Sequence, residues 1–139
     1  MVEPSPRALD GVSTFIGMRW DAAGVVRADI RPELLNRGGM LSGVIAYALI
    51  DYSMGSALWA HLAPDEGCAT LNIAINYVQT ATSGGLVCES VLDRRNRRTG
   101  VLRSTVNHDD GRLLATAVGT YAIFPRDRYR REAEPGPTP

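Results

Sequence analysis

The sequence contains no lysine. All fifteen basic residues among its 139 are arginine, and fifteen acidic residues bring the formal net charge to zero. That balance excludes a broad electrostatic grip on nucleic acid, which needs an excess of positive charge. Arginine is the better bidentate phosphate ligand, but its exclusive use reads first as compositional bias. Cysteine is scarce as well. Cys68 and Cys88 lie in separate apolar runs; they are too few for a disulfide framework and read as small buried hydrophobes in a reducing compartment. The first ten residues include Glu3, Arg7, Asp10 and two prolines, and lack the basic-then-apolar pattern of a secretory signal. A cytoplasmic location is the expectation. There is no internal repeat, no His/Cys spacing of a metal site, and no Gly-x-Ser-x-Gly elbow for His61 or His108 to serve. The length excludes separate cofactor and substrate lobes, and neither cofactor nor metal is expected.

What is present is one domain's worth of patterned chain, 45% hydrophobic. Residues 1–10 and 125–139 mix proline with charge and are expected to be flexible, which leaves a single domain over 11–124. Ser13–Trp20 and Val25–Ile30 flank a turn at Asp21–Gly24 and predict a hairpin. Leu71, Ile73, Ile75 and Tyr77 alternate along one face of a strand over 70–78. Further strands are expected at 86–93, 100–107 and 112–124, separated by 94–99 and by a His108-Asp109-Asp110-Gly111 turn.

Residues 38–60 differ, with Asp51 as their one charged side chain. Length and Ala, Leu and Met content predict a helix from about Ser42. Leu41, Ile45, Leu49 and Tyr52 mark one side of it; Tyr47, Met54 and Leu58 mark another. A helix apolar all round is a membrane span or the buried centre of a soluble fold. Asp51 argues against the membrane. The expected architecture is therefore α+β, a buried helix wrapped by antiparallel sheet. A carboxylate on such a helix must be paired, neutralised or line a cavity. It is either a structural hydrogen-bonding group or a reactive one. The glycine-rich segment 35–43 leads into the helix start, where free N–H groups and the positive dipole end could stabilise an oxyanion. The plainer reading makes Ser42 an N-cap after an ordinary loop.

The run from Asn36 through Gly39, Leu41, Ser42, Gly43, Val44 and Leu49 to Asp51 resembles the signature of hotdog-fold acyl-CoA thioesterases of the phenylacetate-degradation type, Asn-x-x-Gly-x-(apolar)-His-Gly-Gly-x-x-x-x-Leu-x-Asp. The spacing matches without a gap. Segments 70–80, 85–93 and 111–124 resemble the family's remaining strands, and the resemblance spans about residues 12–124. It implies a hotdog fold with one long central helix and a curved antiparallel sheet of five to six strands. It implies hydrolysis of an acyl-CoA thioester, with Asp51 as general base or nucleophile and the Gly43 N–H polarising the carbonyl. Asn36 would position water or substrate, and Thr70 would hold the water. Carboxylate and oxyanion donor would come from different subunits of a homodimer or a dimer-of-dimers tetramer.

Two positions depart from the pattern: Ser42 replaces the family's His, and Val44 its second Gly. Ser42 keeps the backbone and loses an imidazole; Val44 adds a branched side chain that narrows the site. Both are expected at the substrate. Arg97 and Arg98, in the run 94–98, are expected to meet the phosphates of coenzyme A, with a solvated hairpin tip as the alternative. The changed positions also support a second reading, a non-catalytic acyl-CoA-binding hotdog protein. A hydratase reading fails for want of a His between Asn36 and Asp51. No nucleic-acid or membrane partner is expected.

Overall fold

Residues 10–127, those described by the computed structural model, begin with a departure from the expected hairpin. Residues 13–16, expected as strand, belong to a short helix, α1 (Gly11–Ile16). Its ends explain it. The Asp10 carboxylate accepts from the Ser13 N–H at 2.8 Å, and Gly17 closes the helix at φ 79°, a conformation open to glycine at little cost. The first strand, β1 (Arg19–Ala22), starts only after this cap and pairs with β2 (Val25–Ile30). The remainder of both terminal segments expected to be flexible lies outside the described residues.

A single 3-10 turn (Pro32–Leu34) and a loop lead to the long helix α2 (Gly43–Trp59). Four strands follow: β3 (Glu66–Tyr77), β4 (Gly84–Arg95), β5 (Thr99–His108) and β6 (Leu113–Pro125). They form one six-stranded antiparallel sheet in the order β1-β2-β4-β5-β6-β3. The sheet curves around α2, which is the α+β hotdog architecture implied by the resemblance. Leu49, Ile50, Met54 and Leu58 of α2 are fully buried against Val26, Leu86, Leu102 and Val106 of the sheet.

Polar groups fix the remaining contacts of the helix. Ser53 Oγ donates to the Gly24 carbonyl at 2.8 Å, and Ser56 Oγ accepts from the Gly24 N–H at 3.0 Å. Together they hold the β1–β2 turn on α2. A side chain at Gly24 would meet the Ser90 carbonyl at 2.8 Å, and its φ is 76°, so the turn requires glycine.

Two expectations are corrected. The helix is not covered all round in a single chain: Val44 is 74% exposed, Trp59 50% and Tyr47 39%. The expected strand face also breaks at Leu71. Thr70 pairs with Tyr121 and Asn72 with Thr120, so Leu71 is the extra residue of a β-bulge and is 60% exposed. A bulge reverses which residues of a strand face inward. Ile73 and Ile75 keep their inward places, while upstream of the bulge Cys68 packs on the core and Thr70 reaches α2.

Candidate active site

The start of α2 is built by the loop before it. Asn36 Oδ1 accepts from the Gly38 N–H at 2.9 Å and the Met40 N–H at 3.2 Å, and its own N–H donates to the Met40 carbonyl. Asn36 therefore shapes the loop with one end of its amide. Ser42 is the N-cap, its Oγ accepting from the Val44 N–H at 3.3 Å. That leaves the Gly43 N–H with no acceptor among the described residues, at the positive end of a 17-residue helix.

Tyr77 lies against Gly43 and donates its hydroxyl to the Gly43 carbonyl at 2.7 Å. A Cβ at position 43 would sit 3.1 Å from the ring carbon Cζ and from the hydroxyl oxygen of Tyr77, so the close approach depends on glycine. Burial holds the Tyr77 phenol protonated above its ordinary range. These groups open onto a cavity of about 710 Å³, lined by Asn36, Ser42, Gly43 and Val44 with an apolar wall of Met40, Leu41, Tyr77, Val78 and Leu114.

Asp51 stands apart from that cavity, half-buried further along α2. Its Oδ1 accepts from Thr70 Oγ1 at 2.6 Å and from the Tyr121 hydroxyl at 2.5 Å. The same hydroxyl lies 2.8 Å from the Asp51 carbonyl oxygen. Tyr121 is 2% exposed. Burial first, then the hydrogen bond and the charge of Asp51, push its phenol well above the ordinary range, so it is a permanent donor. Cys68 lies beside the pair; burial and then the Asp51 charge raise its thiol. The sequence reading did not single out Tyr121. Alternation along β6 puts it on the inward face with Ala115, Ala117 and Ile123, and a buried tyrosine hydroxyl needs a partner. That signal could have found it.

A single chain thus brings Asn36, Ser42, Gly43 and Val44 together, and separately Asp51 with Thr70. Eight residues of helical rise separate Gly43 from Asp51 by about 12 Å. The arginine run is in a third place. Gly100 packs on Leu58, and Arg95 donates to the His61 carbonyl at 2.9 Å and to Glu66 at 2.5 Å. The β4–β5 hairpin therefore lies at the far end of α2, about 22 Å of helix from Gly43. Arg94 is tied to Asn96 at 2.7 Å. The guanidinium groups of Arg97 and Arg98 meet no partner among the described residues.

His108 is buried, with Nε2 2.6 Å from the Ser83 carbonyl and Nδ1 accepting from the Asp110 N–H, and it serves no nucleophile. Among the described residues no three His, Cys, Asp or Glu side chains are grouped as metal ligands, and no helix is long and apolar enough to cross a membrane.

Comparison with known proteins adds four findings. The sequence profile of the thioesterase superfamily matches residues 38–115, from the glycine loop into β6. A Saccharolobus solfataricus protein provisionally named an esterase is 30% identical over 101 residues, covering 72% of this chain and 71% of its own. Among solved structures, a Bacillus halodurans protein determined with coenzyme A superposes with a TM-score of 0.80 at 22% identity, over 85% of this chain and 78% of that one. A Ralstonia eutropha protein, provisionally a thioesterase and related to phenylacetic acid degradation, superposes with a TM-score of 0.71 at 27% identity, over 82% and 90% of the two chains.

Proposed function

The chain belongs to the thioesterase superfamily, and from that premise we propose that it hydrolyses an acyl-CoA thioester to a carboxylic acid and free coenzyme A, with Asp51 as the reacting carboxylate. The observation that carries this reading is the setting of Asp51. It is the one ionisable side chain of α2 that two hydroxyls from the sheet reach, on a helix whose first N–H is open. Such a carboxylate is held in one orientation by hydroxyl donors from the sheet.

In the proposed reaction the Gly43 N–H hydrogen-bonds the thioester oxygen and strengthens its hold as negative charge develops there. As general base, Asp51 takes a proton from water while the water oxygen attacks the carbonyl carbon. The tetrahedral intermediate collapses, the C–S bond breaks, and the thiolate takes that proton back. As nucleophile, Asp51 would instead attack the carbonyl carbon and expel the thiolate, leaving a mixed anhydride. Water then hydrolyses the anhydride to the acid and free Asp51 carboxylate, and the proton released from that water goes to the thiolate. The separation of about 12 Å along the helix is too long for Asp51 and Gly43 of one chain to act on one carbonyl. The proposed site is therefore made by two copies, one giving the N–H and Asn36, the other Asp51 and Thr70. Arg97 and Arg98 are the proposed contacts for coenzyme A phosphates.

The test is thiol release over a panel of aromatic and aliphatic acyl-CoAs, by the unaltered protein and by Asp51→Asn. The substitution preserves shape and removes the charge. It should lower kcat by at least about 10²-fold, the usual share of a single general base, with binding retained. Near-normal turnover by folded Asp51→Asn refutes the mechanism. Ser42 and Val44 favour the non-catalytic acyl-CoA-binding reading, because the Ser42 hydroxyl is engaged as a helix cap and Val44 stands exposed at the cavity. Thermal stabilisation by acyl-CoA without any thiol release would establish that reading instead.

A further inference from the structure

We infer that Tyr121 is a positioning residue for the Asp51 carboxylate, one that commits Oδ2 as the oxygen that reacts. The inference rests on the thioesterase reading of the same site.

The geometry is one-sided. A carboxylate offers about four lone-pair directions, two on each oxygen. Oδ1 receives both hydroxyls, Tyr121 at 2.5 Å and Thr70 at 2.6 Å. Among the described residues nothing donates to Oδ2. The terminal torsion of an aspartate is broad and roughly two-fold, so a carboxylate without these bonds would exchange its oxygens by rotation. Tyr121 and Thr70 face each other across the β3–β6 pair, and both converge on the same oxygen from the sheet side.

The two hydroxyls differ in how firmly they are held. Thr70 is exposed, at the bulge. Tyr121 is enclosed, and its hydroxyl is also within reach of the Asp51 main-chain oxygen. The single phenolic proton is shared between these two acceptors, the shorter contact being to Oδ1, so the hydroxyl holds the carboxylate beside its own main chain. With Oδ1 occupied, Oδ2 takes the proton from water as the water oxygen bonds to the thioester carbon. The carbonyl electrons move to oxygen and return as the C–S bond breaks, and Oδ2 gives its proton to the departing sulfur. The hydroxyl of Tyr121 keeps its own proton throughout.

The test is a double-mutant cycle read in kcat, KM and melting temperature: unaltered protein, Tyr121→Phe, Asp51→Asn and the double variant. Phenylalanine removes the hydroxyl alone. We expect kcat of Tyr121→Phe to fall about 10- to 100-fold, the share of a hydrogen bond to a charged group, with KM little changed. In the Asp51→Asn background the same change should cost almost nothing, because residues acting as a unit are non-additive. An equal loss in both backgrounds, or unaltered kcat in a folded Tyr121→Phe, overturns the inference. If phenylalanine prevents folding, 3-fluorotyrosine and 3,5-difluorotyrosine at position 121 keep the ring and grade the donor strength. A graded change in kcat supports the role, and a flat response overturns it. An unaltered protein that releases no thiol defeats the thioesterase reading and this inference together. Undiminished kcat in folded Tyr121→Phe defeats the inference alone.

Discussion

At the scale of single residues, the helix start is organised by the contact between Gly43 and Tyr77. A methyl group at position 43 would crowd the tyrosine ring at 3.1 Å, a distance at which a neighbour has to give. The ring is also tied to the Gly43 carbonyl by its hydroxyl, so a shift of the ring stretches that bond or turns the peptide it holds. Gly43→Ala is expected to lower kcat by up to about 10²-fold, the cost of losing one well-aimed oxyanion donor. Tyr77→Ala in the same chain should restore part of the loss by making room. Steady-state kinetics of both variants check this, and unaltered kcat in Gly43→Ala would remove that N–H from the carbonyl. The candidate residues were legible at this scale because their motif is local: Asn36, Gly43 and Asp51 fall within one loop and one helix. Alternation marks Tyr121 as an inward residue, but its pairing with Asp51 was not legible, because it reaches that carboxylate from 70 positions later in the chain.

At the scale of elements, two structures reflect forces that alternation of apolar residues does not encode. The first is α1, where an Asp10 cap and a Gly17 stop outweigh the strand pattern of residues 13–16. The Ser13 backbone N–H first, then the Tyr52 hydroxyl, hold the Asp10 carboxyl below its ordinary value of 3.8. A carboxyl depressed in the folded state stabilises the fold fully above the unfolded value, and loses that effect as pH falls through the lower folded one. Asp10→Ala should therefore cost about 1 kcal/mol at neutral pH, as helix caps do, and the gap from the unaltered protein should close in acid. Thermal unfolding across pH measures it, and a gap independent of pH would contradict the charge-assisted cap. The second structure is the bulge at Leu71. It adds one residue to β3 and brings Thr70 to Asp51, a change of phase that no periodicity of β3 alone announces. The hairpin between β4 and β5 is a different matter: the sequence shows a run of five residues, and the structure divides them. Arg94 and Arg95 are occupied within the chain, and Arg97 and Arg98 are available. Changing both of the latter to alanine should raise KM for acyl-CoA and leave kcat and melting temperature nearly unchanged, since a phosphate contact is the same in ground and transition states. An unchanged KM at low salt would leave them as a solvated tip.

At the scale of the whole molecule, one chain presents a fold whose apolar surface is incompletely used. β3 is twelve residues long and lies at the edge of the sheet, paired among the described residues on one side only, with β6. Long unprotected edges invite pairing with another chain. Beside it Val44, Tyr47, Tyr77 and Val78 expose apolar surface from the outer face of α2 and the end of β3. The sequence showed α2 as apolar on every face, and read this as a helix enclosed by its own sheet. The sheet covers one side, and the other side has the composition of a buried surface and is left exposed by the described residues. A second copy would cover that face and would also bring the Gly43 of one chain toward the Asp51 of another, which helical rise keeps apart within either. Assembly and turnover should consequently fail together. Light scattering at micromolar concentration is expected to give the mass of a dimer or tetramer. Specific activity should fall on dilution through the dissociation range and recover with added protein. A monomeric protein with full turnover at every concentration would show that one chain holds a complete site, and the division of labour between Gly43 and Asp51 would be wrong.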